Sequence, residues 1–177
     1  MTARQAQDEP REVAWQGKFL TAVKRGTWEY VERAGRISAV VILADHDGGI
    51  VLVEQPRVPI GRRCLELPAG LIGDGGGEDN VELAARRELE EETGFAAERI
   101  EVLGDFYSSP GMVAESFTLV RATGLRRIAA GGGVDGEDIV THLVPRGEIA
   151  AFVAGRRAAG VGIDVKLLML LGASLGL

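Results

Sequence analysis

The sequence predicts an α/β (α+β) fold in which a mixed β-sheet is sandwiched between helices. The run ISAVVILA at residues 37–44 is apolar throughout, which is typical of a strand buried on both faces. Strand-like segments lie before and after one highly charged helix, and two helical segments end the chain. With 177 residues, 46% of them hydrophobic, the chain has the size of one domain with a small extension.

The N-terminal part predicts a small antiparallel β extension. Residues 1–10 are polar and are expected to form a loose tail. The segments KFLTAVKRG (18–26) and TWEYVER (27–33) read as short strands around a turn at Arg25 and Gly26. Because a lone hairpin is marginally stable in water, these strands are expected to pack on the main domain or on a second subunit. We therefore divide the chain into residues 1–36, which we expect in dimer contacts, and a domain at 37–177.

The elements of the domain follow in order. A turn at 47–49 leads into a second strand at 50–55, and an arginine-containing loop at 56–63 leads into CLELPAG and a glycine-rich segment. A flexible acidic loop is expected at 131–138, and Asp164 is a suitable N-cap. Further strands are predicted at 100–107, 116–122 and 139–144, and C-terminal helices at 146–154 and 164–174.

The charged helix is predicted to begin near Asp79 or Asn80 and to end at Gly94, where a left-handed cap is favoured. At about 100° per residue, two of its glutamates, Glu88 and Glu92, share a stripe with three apolar residues. That stripe consists of Val81, Ala84, Ala85, Glu88 and Glu92.

The two glutamates on this stripe therefore point toward the core. Like charges repel at this spacing, and buried carboxylates are costly unless they are paired or bind a metal. Glu91 lies three residues after Glu88, so all three carboxylates can reach one site. Because oxygen ligands without His or Cys suit hard cations, the pattern predicts Mg²⁺ or Mn²⁺. Arg87 is expected to hold Glu91 through their i, i+4 spacing.

The composition excludes several classes of protein. A net charge of −6 disfavours a general nucleic-acid scaffold, and the single Cys64 excludes an internal disulfide and a cysteine zinc cluster. The N-terminus lacks the apolar core of a signal peptide, and the apolar segment at 165–177 is too short to span a bilayer. We expect a cytoplasmic protein that binds neither nucleic acid nor membranes.

Residues 73–95 resemble the Nudix hydrolase signature, G-x5-E-x7-R-E-U-x-E-E-x-G-U, where U is a bulky apolar residue. The first glutamate of the signature falls on Asp79, with Glu78 one residue earlier, so which of the two takes that role stays open. The resemblance implies a Nudix fold, Mg²⁺ dependence and hydrolysis of a nucleoside diphosphate linked to another moiety. The matched positions are Gly73, Arg87, Glu88, Leu89, Glu91, Glu92, Gly94 and Phe95.

Segments outside the signature resemble the ADP-ribose pyrophosphatase subgroup: EQPR-x4-RRCLELPAG (54–70), SSPGMVAES (108–116) and the C-terminal helices. This resemblance implies two or three metal ions and a substrate contact at Glu115. In the acidic loop, Glu137 matches a ligand position and Asp135 matches the base, although Glu137 and Glu91 stay open as alternative bases. The implied metal ligands are the Ala69 carbonyl, Glu88, Glu92 and Glu137.

Substrate binding adds further candidates. A diphosphate needs positive charge, which metals together with Arg57, Arg62 or Arg63 would supply. An adenine needs an aromatic or apolar face, and Trp28 and Tyr30 are candidates, contributed within one subunit or across a dimer.

Together these features lead to one hypothesis: a homodimeric Mg²⁺-dependent Nudix hydrolase that cleaves ADP-ribose or a related ADP-sugar to AMP and a sugar phosphate. Other Nudix substrates are the nearest alternative, namely GDP-mannose, a dinucleotide or an oxidised nucleoside triphosphate. A third hypothesis is a non-catalytic binding protein with the Nudix fold. The chain retains the REL-x-EE residues of the signature, which disfavours this hypothesis.

Overall fold

The computed structural model describes residues 3–34, 38–73, 80–134 and 136–172, together with the side chains of all of these except 3–5, 169 and 171. Three sequence predictions, those for Glu78, Asp79 and Asp135, fall outside the described residues. The N-terminal elements are helix α1 (Ala3–Asp8) and strands β1 (Glu12–Gln16), β2 (Leu20–Arg25) and β3 (Trp28–Arg33).

The predicted antiparallel extension is confirmed as a three-stranded sheet in the order β1-β2-β3. Two features differ from the prediction: part of the expected loose tail is helical, and β1 adds a third strand. The sheet packs on the main domain of its own chain through Val31. The Val31 N–H donates to the Met112 carbonyl at 2.9 Å, and the Ala114 N–H donates to the Val31 carbonyl at 2.9 Å. Hydrogen bonds to the domain thus give the predicted hairpin the support it lacks alone.

A mixed sheet forms the centre of the domain. Its strands are β4 (Ala39–His46), β5 (Gly49–Arg57), β6 (Arg62–Glu66), β7 (Ala69–Leu71), β9 (Arg99–Tyr107), β10 (Ser116–Thr123), β12 (Val140–Pro145) and β13 (Gly162–Ile163). The main path of the sheet is β13-β6-β5-β4-β10-β9, with β12 paired to β5 and β7 paired to β4. The β4–β10 and β6–β13 pairs are parallel, and the remaining pairs are antiparallel. Two short strands outside this sheet, β8 (Phe95–Ala96) and β11 (Arg126–Arg127), pair with each other.

Two different strands pair with the same edge of β4. The last residues of β4, 44–46, pair with β5, whereas its first residues, 39–41, pair with β7. The short β7 therefore enters a gap between β4 and β5, and it lies under the charged helix, α2 (Val81–Thr93). This pairing brings the backbone of Ala69 and Gly70 to the side chains of Glu92 and Glu88.

Helices cover the two faces of the sheet, as the sequence predicted. Helix α2 packs on one face, and α3 (Ile149–Ala158) and α4 (Leu168–Leu171) pack on the other. Strand β4 contributes to both cores, because Val40 and Ile42 cluster with α2 residues while Val41 clusters with Ile149. Alternate side chains of a strand face opposite sides of its sheet, so the apolar run of β4 is buried on both faces.

Two caps define helix α2. The Asn80 side chain accepts the Leu83 N–H at 3.0 Å, which satisfies one of the unpaired donors of the first turn. Gly94 ends the helix in the left-handed region, with φ 74°, and its N–H donates to the Glu90 carbonyl. Its missing side chain also matters, since a Cβ there would lie 2.2 Å from the Ala129 carbonyl oxygen. The predicted end at Gly94 is confirmed, and of the two predicted starts, Asp79 and Asn80, the structure has Asn80 as the N-cap.

The C-terminal helices lie where they were predicted, and the first extends to Ala158 instead of ending at 154. The second is described only to residue 172, so its predicted end at 174 stays a prediction. The first opens with a 3₁₀ turn (Arg146–Glu148) before α3. The second begins as a 3₁₀ turn (Val165–Leu167) in which Asp164 accepts the Lys166 N–H at 2.7 Å, so the predicted Asp164 cap is confirmed. In the described part of the chain, every helix falls short of the length and apolarity needed to cross a bilayer.

Candidate active site

A cleft of about 660 Å³ opens where β4, β5, β6 and β7 meet helix α2. Its lining combines apolar strand residues with many charged side chains. Among the described residues, the charged lining side chains are Arg33, Arg57, Glu66, Glu88, Glu92, Glu115, Glu137, Asp164 and Lys166.

Glu92 is the most buried of the predicted metal ligands. The residue is only 5% exposed, and its Oε2 accepts the Ala69 N–H at 3.0 Å. Burial raises the pKa of Glu92 to about 8; the Ala69 hydrogen bond opposes this shift, and the charge of Glu88 adds to it. Sequence periodicity placed this carboxylate on the core side of the helix, and the structure confirms that position.

Glu88 lies one turn earlier on the same face and is half-buried. Its carboxylate rests directly on the backbone of Gly70, since a Cβ at Gly70 would be 1.9 Å from Glu88 Cδ. Burial raises the pKa of Glu88; the neighbouring Arg87 opposes the shift, while the charges of Glu91 and Glu137 add to it. Glycine at this place in PAG thus allows the helix carboxylate to approach β7 closely.

This donor set suits a hard divalent cation. The charge of Glu88 adds to the cost of ionising Glu92, and a bound cation would favour the ionised forms of both. The Glu137 carboxylate accepts the Val134 N–H at 3.2 Å. Within the four described ranges, no group of three or more His, Cys, Asp or Glu side chains is placed to hold a metal ion. The predicted metal set therefore stays a prediction, with the strongest structural support for Glu88 and Glu92.

Arg87 joins helix α2 to strand β7. Its guanidinium donates to the Leu71 carbonyl at 3.0 Å and to Glu88 Oε1 at 3.2 Å. The residue thus orients Glu88, one of the two buried-stripe carboxylates. Its predicted pairing with Glu91, which is half-buried, stays a prediction.

The acidic loop, whose described residues are 131–134 and 136–138, runs along the end of helix α2. The Gly132 N–H donates to the Glu92 carbonyl and the Gly133 N–H to the Glu91 carbonyl, both at 2.9 Å. These two bonds bring Glu137 to the cleft with Glu88 and Glu92. The predicted role of Glu137 as a metal ligand stays a prediction.

Every cation of the described cleft lining is paired with a carboxylate. Arg57 binds Glu66 through two hydrogen bonds of 2.7 Å, and this partner raises the pKa of Arg57. Arg33 donates to Glu115 at 2.6 Å. The Lys166 ammonium lies 2.6 Å from Asp164.

Sequence reasoning missed Arg33 and Lys166. The sequence gives no signal for Arg33, because its place at the cleft depends on how β3 packs on residues 112–114 of the domain. It gives none for Lys166 either, since a single lysine in the first turn of a helix is ordinary.

The structure does not gather all of the predicted substrate residues into this cleft. Arg62 is exposed on β6, and Arg63 binds Glu54 and Asp138. Trp28 and Tyr30 line a separate cavity of about 340 Å³ under helix α1.

Comparisons with known proteins were made by sequence and by structure. The ADP-ribose pyrophosphatase of Mycobacterium tuberculosis is 44% identical over 102 residues, which are 58% of this chain and 47% of that protein. The methanol dehydrogenase activator of Bacillus methanolicus is 36% identical over 112 residues, 63% of this chain and 58% of that protein. The chain thus matches about half the length of these curated relatives.

The structural comparison supports the predicted fold. A crystal structure described as an ADP compounds hydrolase has a TM-score of 0.69 to this chain, covering 94% of it and 92% of that chain at 21% identity. The Nudix-type fold expected from the sequence is therefore confirmed. A family model described as the NUDIX domain matches residues 35–153, most of the chain, including the sheet, helix α2 and the acidic loop. The chain therefore belongs to the NUDIX domain family.

Proposed function

We propose that this chain is a Mg²⁺-dependent Nudix hydrolase that cleaves the diphosphate bond of ADP-ribose or a related ADP-sugar, giving AMP and a sugar phosphate. The charge of the cleft carries the proposal. Its described lining holds six carboxylates and three cations, a formal charge of −3 when all are ionised. Because each cation is already paired with a carboxylate, a diphosphate needs divalent cations to bind here.

The residues that would hold two or three Mg²⁺ or Mn²⁺ ions are Glu88, Glu92, Glu137 and the carbonyl of Ala69. When bound, such ions neutralise the diphosphate and lower the pKa of an attacking water. Glu92 is held ready by the Ala69 N–H, and Glu88 by Arg87. One acidic residue then accepts the proton of the attacking water; Asp135, Glu137 and Glu91 are the three candidates.

Substrate contacts extend from this centre. Arg57 lies at the cleft and binds Glu66 through Nε and Nη2, so Nη1 is the nitrogen that can donate to a phosphate. Arg33 and Glu115 line both the cleft and an adjoining polar cavity of about 560 Å³, where hydroxyl groups of a sugar would find donors and acceptors. Similarity to a protein named ADP-ribose pyrophosphatase supports this choice of substrate.

Assembly forms part of the proposal. The N-terminal sheet exposes large apolar side chains, among them Trp15 at 61% and Phe19 at 65%. Exposed aromatic surface of this kind marks interaction sites, so we propose a homodimer in which residues 1–36 make subunit contacts. We place the protein in the cytoplasm and expect no nucleic-acid or membrane partner.

A panel of nucleoside diphosphate compounds, assayed with Mg²⁺ and with product identification, tests the proposal. We expect AMP and a sugar phosphate from ADP-ribose or an ADP-sugar, and no turnover in EDTA. Preference for GDP-mannose, a dinucleotide or a nucleoside triphosphate would overturn the substrate class. Failure to cleave any member would favour the non-catalytic binding protein.

A further inference from the structure

We propose that Arg63 is a positioning residue that holds the acidic loop, and with it Glu137, in place against helix α2. The proposal rests on the proposed function of this site. It assigns Arg63 a different task from binding substrate phosphate, because the guanidinium is committed to two protein partners on opposite sides.

The contacts of Arg63 join strand β5 to the end of the loop. On one side, Nε donates to Glu54 Oε1 at 3.0 Å and Nη2 donates to the Glu54 carbonyl at 2.7 Å. On the other side, Nη1 donates to Asp138 Oδ2 at 2.5 Å and Nη2 donates to the Asp138 carbonyl at 2.9 Å. Asp138 follows Glu137 directly, so the bond to its carbonyl restrains the backbone beside the predicted metal ligand.

The Glu54 side of this contact is firmly held. Glu54 is only 3% exposed, and its carboxylate also accepts two hydrogen bonds from Arg156 of helix α3, at 2.8 and 2.7 Å. His142 of strand β12 lies 3.6 Å from the same carboxylate. A buried carboxylate with two guanidinium partners is a fixed point in the fold.

The start of the loop is fixed separately, by the bonds from Gly132 and Gly133 to the last carbonyls of helix α2. Gly131 lies so close to the helix that a Cβ there would be 2.4 Å from the Thr93 carbonyl carbon. Glu137 thus lies between two anchors, the helix that carries Glu88 and Glu92 at one end and Arg63 at the other. Without Arg63, one anchor is lost and Glu137 is no longer held relative to the helix.

Arginine suits this position better than lysine. The planar guanidinium donates in several fixed directions at once, whereas a lysine ammonium is a single point at the end of a flexible stem. Arg63 uses Nε and both terminal nitrogens to reach the two partners. We therefore expect Arg63→Lys to keep the charge beside Glu54 and still lose the loop anchor.

The test compares Arg63→Met with Arg156→Met. Both variants remove one guanidinium from Glu54 and are expected to lower Tm, but only the first releases the loop. Binding of Mn²⁺ to the full chain is measured without substrate. The electron paramagnetic resonance signal of free Mn²⁺ reports the binding, so the readout does not depend on turnover. For Arg63→Met we expect metal affinity to fall about 10- to 100-fold, with kcat falling similarly and KM staying within about threefold. Arg156→Met should keep the wild-type metal affinity.

Equal metal affinities for the two methionine variants would overturn the proposal. A loss seen in KM with kcat unchanged would also overturn it, because that pattern belongs to a substrate-binding arginine. Should Arg63→Met fail to fold, Arg63→Lys takes its place, and wild-type affinity in that variant would likewise refute the anchor. If the wild-type chain cleaves no nucleoside diphosphate, the proposed function fails, while the Mn²⁺ titration still decides the role of Arg63.

Discussion

Gly70 offers the most direct test of where Glu88 lies. A Cβ at this position would be 1.9 Å from Glu88 Cδ and 2.2 Å from both Cγ and Oε1. The backbone of Gly70 is in the ordinary strand β7, outside the set of glycines with positive φ. The substitution Gly70→Ala therefore causes no backbone strain, and its whole effect falls on the Glu88 side chain.

The size of the effect follows from this distance. Ordinary contact with a Cβ begins at 3.4 Å, so the Glu88 carboxyl carbon must move by about 1.5 Å. A half-buried side chain can make this movement without unfolding the protein. A displacement of about 1 Å at a catalytic centre lowers the rate by about 100-fold, and we expect at least this loss in kcat/KM.

The assay measures ADP-ribose hydrolysis over a Mg²⁺ titration, together with Tm. Gly147→Ala is the matched control, since Gly147 has open space around its Cβ position and lies in a 3₁₀ turn that the cleft lining does not include. We expect the control to keep wild-type activity and Gly70→Ala to keep its fold. A folded Gly70→Ala protein with wild-type kcat/KM and Mg²⁺ requirement would refute the placement of Glu88 at the metal.

Three further predictions concern single side chains. Glu88→Gln should lower turnover by orders of magnitude with Tm unchanged or higher, and near-normal activity in the folded variant would contradict the site. Burial raises the pKa of Glu92 from 4.5 to about 8. The neutral carboxyl group therefore stabilises the metal-free fold fully below pH 4.5, and this stabilisation is lost as the pH rises through 8. In EDTA, Tm of the wild type should therefore fall between pH 5 and 8 more steeply than Tm of Glu92→Gln; parallel curves would count against the buried carboxylate. Cys64 is buried, and burial raises its pKa to about 12. We therefore expect a thiol reagent at pH 8 to react slowly with the folded protein and rapidly with the protein unfolded in urea. Equal rates in the two conditions would show that the thiol is accessible in the folded protein.

The charged helix shows how far sequence reasoning reaches when interactions are local. Its end at Gly94, its start within one residue and its buried stripe were all predictable, because caps and the 3.6-residue period depend on residues within four positions of each other. The stripe also led to the prediction that Glu88 and Glu92 bind a cation, since buried carboxylates are costly unless they are paired or bind a metal. The structure adds that burial raises the pKa of Glu92.

The arginines show where local reasoning ends. Arg57, Arg62 and Arg63 were predicted as alternative phosphate ligands, and the structure gives them three different surroundings. Arg57 has a bidentate partner at the cleft, Arg62 is exposed to solvent, and Arg63 contacts Glu54 and Asp138. Within β6, the neighbours Arg62 and Arg63 point to opposite faces of the sheet. What each face meets is decided by strands and loops that are distant in sequence.

The sequence by itself determined the family signature, the buried strand and the charged helix, and it led to the prediction of oxygen-liganded cations. Only the tertiary structure decided which arginine and lysine side chains reach the cleft and which residue holds the acidic loop. Arg33 meets Glu115 across 82 residues, and Arg63 meets Asp138 across 75. Caps and periodicity are properties of neighbouring residues and can be read along the chain. Ion pairs between distant residues depend on tertiary structure, namely on the pairing of β4 with both β5 and β7 and on the packing of β3 against the domain. These arrangements bring separate segments together, and no pattern among neighbouring residues predicts them.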